Sequence, residues 1–147
     1  MSYGVDILSG ELPNSYEEAL FIRDRETDAR DSRLGTGADL GFEAPSAQML
    51  ELHRRLTAQH PCIMDDPDGP WSDGPLINNF GQRAATLGIS FSRLAKVLPF
   101  LIATATKMGF WVFDAQDEAV HLPGGATLRP RALPRRSSGK AWWQFWK

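Results

Sequence analysis

Apolar residues recur at two different spacings along this chain, and that change of period sets its fold class. Tyr3, Val5 and Ile7 alternate with Gly4 and Asp6, the period of a half-buried strand. Met49, Leu52 and Leu56, with Leu50 beside them, recur at intervals of three and four, the period of a helix with one apolar stripe. Leu76 to Phe80 and Ala85 to Phe91 read as a hairpin around Gly81-Gln82. Phe110 to Asp114 and Glu118 to Leu122 read as a final strand or a tight hairpin around Ala115-Gln116-Asp117. Ser15 and Glu18 form a capping box for a first helix that should run to about Asp28. Ser46 caps the second helix, Ala47 to His60, which Pro61 ends. Ser92 caps a third, Arg93 to Met108, with Pro99 expected to kink it and Gly109 to stop it. The order of strand, helix, helix, hairpin, helix and strands predicts an α+β fold. Its antiparallel sheet should carry helices on one face, the ferredoxin-like split β-α-β arrangement being the simplest version.

A length of 147 residues fits one domain with a real core. Residues 1–125 are expected to form it. Residues 31–43, charged and carrying Gly35, Gly37 and Gly41, read as a flexible insert. Residues 126–147 read as a separate tail. The net charge of -2 hides a strong asymmetry. The tail holds Arg129, Arg131, Arg135, Arg136, Lys140 and Lys147 and no acid, while the preceding 125 residues hold 10 bases and 18 acids. The tail also ends on Trp142, Trp143, Phe145 and Trp146. Tryptophan carries a large apolar area that water disfavours, so this end is expected to dock. Trp142, Trp143, Phe145 and Trp146 would be its anchors and Arg135, Arg136 and Lys140 its flanking charge. The chain's own acidic body, a protein pocket or an anionic membrane surface could each receive it.

The cysteine and the termini bear on location. Cys62 is the single cysteine, so an internal disulfide is impossible, as suits a reducing compartment. The first residues lack a basic region and an apolar run, and Leu94 to Met108 is too short and too broken to span a bilayer. A cytoplasmic protein is expected.

No arrangement of residues announces catalysis. His53 and His60 are two turns apart on one helix, too far for one metal, and His121 sits in a strand. Cys62 beside His60 is better read as a structural cysteine than as a nucleophile. There is no nucleophile elbow and no phosphate loop. Asp65, Asp66, Asp68 and Asp73 crowd around Trp71, but Pro70 and Ile77 fall where an EF-hand needs ligands. These carboxylates are expected to be exposed and to bind a basic partner, with Trp71 as the anchor. Nucleic acid is disfavoured as a partner because the body is acidic. No cofactor and no metal are expected.

Three stretches taken together carry a resemblance. They are Pro70-Trp71-Ser72 after a helix ending at Pro61, the hairpin-then-helix unit from Leu76 to Met108, and Gly109 to Gln116 with its closing strand to Pro123. In this order they resemble small bacterial α+β proteins of the toxin-immunity kind. The resemblance spans residues 45–123; the 31–43 insert and the arginine-rich part of the tail fall outside it. It implies a stoichiometric inhibitor that plugs a toxin's active site and has no catalytic residues. An acidic inhibitor would gain on-rate and specificity against a basic toxin. The same features fit an adaptor that docks through its tail on a membrane or a protein machine, and, third, a small enzyme.

Overall fold

Seven residues at the start of the chain hold the sheet together. In the computed structural model, which describes residues 2–34, 45–61, 69–72 and 76–130, β1 (Ser2–Leu8) pairs along its whole length with β2 (Ala84–Ser90). Its other edge pairs with β3 (Trp111–Asp114), followed outward by β4 (Ala119–His121) and β5 (Thr127–Leu128). The order is β2-β1-β3-β4-β5 and every pairing is antiparallel. The fold is α+β.

Because β2 and β3 both run against β1, they are parallel to each other. They are joined through α3 (Leu94–Lys107), which makes one split β-α-β unit. The described residues show no second such unit: α1 (Tyr16–Leu34) and α2 (Ala47–Gln59) lie between β1 and its direct neighbour β2.

Strand alternation divides the apolar residues between two layers. Val5, Ile7, Ala85, Leu87, Ile89 and Val112 pack with Met49, Leu52 and Leu56 of α2 and Val97, Leu101 and Ala105 of α3. Leu8, Ala84, Trp111, Phe113 and Val120 pack on the other face with Ala19 and Ile22. So α2 and α3 share one face, as expected, while α1 covers the opposite face. The sheet is therefore filled on both sides.

Local chemistry explains the boundaries. The Glu18 amide donates to Ser15 Oγ at 3.0 Å, while the Glu18 carboxylate accepts from the Asn14 amide. The Met49 amide donates to Ser46 Oγ at 3.2 Å. α1 continues past Asp28 to Leu34 because Tyr16 to Leu34 contains no glycine or proline, and charge alone does not stop a helix. The remainder of the expected insert lies outside the described residues. Gly109 takes φ +94°, the left-handed conformation that closes α3. α3 is continuous across Pro99, and Ser92 lies in a 3-10 turn (Phe91–Arg93) rather than capping it.

Two further expectations are corrected. Leu76–Asn79 is a 3-10 helix, and only Phe80 bridges to Ala85, so there is no full hairpin there. Thr127 and Leu128, assigned by sequence to the tail, extend the sheet. The Gly124-Gly125 turn, at φ +89° and +96°, brings them back along β4.

Candidate functional site

The structure moves Trp71 out of the role the sequence suggested. It is 1% exposed, and its indole N–H donates to the His60 carbonyl at 2.7 Å. Ser90 N donates to Pro70 O at 2.6 Å and Ser72 N to Gly88 O at 2.9 Å, so Pro70–Ser72 closes the outer edge of β2. Trp71 is therefore a core plug beneath a protected edge, not an exposed anchor. Asp65, Asp66, Asp68, Asp73 and Cys62 lie outside the described residues. So do Arg135, Arg136, Lys140, Trp142, Trp143, Phe145 and Trp146.

The buried polar groups are engaged in holding the body together. Asp6, 8% exposed, accepts Arg23 Nη1 at 3.1 Å and Thr86 Oγ1 at 2.6 Å. Arg30 donates in turn to Thr86 at 2.9 Å, and the Arg23 guanidinium lies 4.6 Å from the Phe113 ring centre. This network fixes α1 across the sheet. Asp114, 1% exposed, accepts the Tyr3 hydroxyl at 2.7 Å and the Asp117 amide at 3.1 Å, which sets the β3–β4 turn. Burial, then Asp114, pushes the Tyr3 phenol far above its ordinary range, so it remains a neutral donor.

Two of the three histidines are packed against aromatic rings. His53 meets Phe80 edge-on at 5.3 Å, and His60 meets Phe100 at 5.3 Å and Trp71 at 6.5 Å. Burial holds all three below the ordinary value of 6.5; Lys96 and Arg93 add to the effect at His60, while at His121 Asp114 and Asp117 oppose it and Arg129 adds to it. A depressed folded pKa means that the unfolded chain binds the proton more tightly. Their contribution to stability is thus complete above pH 6.5 and is lost as pH falls from there through the lowered folded values. Urea midpoints are expected to drop between pH 7.5 and pH 5.5, and a His53→Gln variant should drop less; identical pH slopes would contradict the assignment. Among the described residues no group of three histidine, cysteine or acidic side chains is placed to hold a metal.

What remains is a surface on α1. Ala19 and Ile22 point to the sheet, and Tyr16 packs on Phe113 at 5.3 Å. The opposite side of the helix presents Glu17, Leu20, Phe21, Asp24, Arg25 and Asp28. Phe21 is 66% exposed, the most open large apolar side chain among the described residues. Leu20, on the same side of the helix, is 37% exposed. Three carboxylates against one guanidinium make this stripe acidic. Arg25, the one cation, sits 5.9 Å from the Phe21 ring and bonds Glu26, while Asp24 accepts from Arg23 at 2.7 Å. An open phenylalanine on a helix side that also exposes three carboxylates and one guanidinium has the composition of a recognition surface, with an apolar anchor among charged groups.

The sequence reading did not single out this stripe. A signal was present: Ala19-Leu20-Phe21-Ile22 is a run of four apolar residues in a helix. Four consecutive residues span the full circumference, so part of the run must face outward.

No family model, curated protein or solved structure matches the chain. No helix among the described residues is long and apolar enough to cross a membrane.

Proposed function

We propose that this chain is a non-catalytic binding protein that holds a basic partner protein against the outward stripe of α1, in the manner of an immunity protein that neutralises a toxin. The observation that carries the reading is Phe21, two-thirds exposed between Glu17, Asp24 and Asp28. A basic partner would cover the ring and pair with the carboxylates, gaining association rate from the charge and residence time from the aromatic contact. The rigid mounting of α1 through Asp6, Arg23 and Thr86 supports the reading. A pre-ordered helix loses little entropy on docking. The packing of His53 and His60 against aromatic rings gives each a structural task. A single cysteine in the chain suits action in the cytoplasm.

The test is a pull-down with the protein encoded by the neighbouring open reading frame. The wild-type chain should retain it. Phe21→Ala should weaken binding by about 2 kcal/mol, roughly thirtyfold, without moving the melting midpoint. Replacing His53, His60 or His121 singly should leave binding intact. Loss of binding in a well-folded histidine variant, together with full binding by Phe21→Ala, would shift the reading to an active site.

A further inference from the structure

The other helical face carries the opposite charge. α2 and α3 meet over the sheet, and their outer seam opens into two adjoining cavities of about 280 and 310 Å³. The first is lined by Arg55, Phe100, Thr104 and Lys107, and the second by His60, Arg93 and Lys96. Gln59 lines both, so the two adjoin at its side chain and together make a grooved surface along α3. No carboxylate is among the described residues that line it. Glu51, outside the lining, bonds Arg54 and Arg55 and draws off part of the charge at that end. Lys96 and Lys107 carry the ends of the groove, with Phe100 between them. The interval of eleven residues along α3 places them about 16 Å apart.

We propose that this groove binds an extended acidic peptide segment of a partner protein, independently of the α1 surface. A chain in extended form rises about 3.3 Å per residue, so carboxylates about five residues apart would reach both cationic ends. The apolar side chains between them would cover Phe100, and Pro61 lines the cavity at the Lys96 end. The Gln59 amide and the Thr104 hydroxyl lie along the path, where peptide N–H and C=O groups need partners. A single small anion could not span the two ends. Stacked nucleobases would need an open aromatic face, and Phe100 is half-buried with His60 edge-on against it at 5.3 Å.

The experiment uses the full chain and a fluorescein-labelled hexapeptide with two acidic residues at each end and two apolar residues between. Anisotropy should show saturable binding that weakens as salt rises. A Lys96→Glu/Lys107→Glu variant, changed at two exposed positions, should bind at least tenfold more weakly with an unchanged melting midpoint. Phe21→Asp should bind the peptide as the wild type does. Bound peptide should also raise the His60 pKa, read by NMR titration, because new carboxylates would oppose Lys96 and Arg93. Equal affinity in the double lysine variant, or no saturable binding by the wild type, would overturn the proposal. So would tighter binding of an eight-nucleotide single-stranded DNA or of anionic vesicles than of the peptide.

Discussion

Replacing Trp71 by alanine is expected to cost about 3–5 kcal/mol of stability, the range for deleting a fully buried tryptophan. The side chain is 1% exposed and lies in the cluster shared by α2, α3 and β2. Its removal opens a cavity there and leaves the His60 carbonyl without its donor. It also loosens Pro70–Ser72, the segment that closes the β2 edge through its bonds to Gly88 and Ser90. The variant should therefore both melt earlier and aggregate more readily, since an unpaired edge strand invites further pairing. Trp71→Phe separates these effects. It keeps most of the packing and loses the N–H donor, so it should cost about 1–3 kcal/mol. Equal urea midpoints for Trp71→Ala and the wild type would mean that the segment is not part of the core.

Leu101→Ala is expected to cost about 2–5 kcal/mol. Leu101 is fully buried at the centre of the inward face of α3, between Val97 and Ala105. That helix crosses from β2 to β3, over the strand inserted between them. Loss of its central contact should weaken the split unit as a whole, and the loss should appear as a lower urea midpoint with an unchanged slope. Ala103→Ser, two residues on and on the exposed side of the helix, should change stability by less than about 0.5 kcal/mol. An unchanged midpoint in Leu101→Ala would detach α3 from the core.

The fold was readable wherever one face of an element is buried and the other wet. Val5 and Ile7 alternate because β1 lies beneath the α2 and α3 side chains, and Met49, Leu52 and Leu56 repeat because α2 has one inward face. The caps at Ser15 and Ser46 and the stop at Gly109 depend on local backbone chemistry, which sequence carries directly. Leu76–Asn79 misled because a short apolar run fits a buried 3-10 turn as well as a strand. The placement of α1 was hidden for a different reason. Its inward side carries Arg23, which pairs with Asp6, and Arg30, which donates to Thr86, while Leu20 and Phe21 face outward. Apolar patterning alone could not reveal a helix whose inward side mixes Ala19 and Ile22 with arginines. Trp71 shows the converse error. Acidic neighbours in sequence suggested a wet anchor, but the residue next to Pro70 turns inward against β2.

The stripe around Phe21 is the surface on which the proposed function rests. A photo-reactive benzoylphenylalanine placed at position 21 tests it most directly, in the cells that make the protein. The account predicts one predominant adduct with a basic protein, suppressed when Glu17, Asp24 and Asp28 are changed to their amides. An adduct confined to the chain's own residues 131–147, or no adduct at all while the protein remains folded, would contradict it.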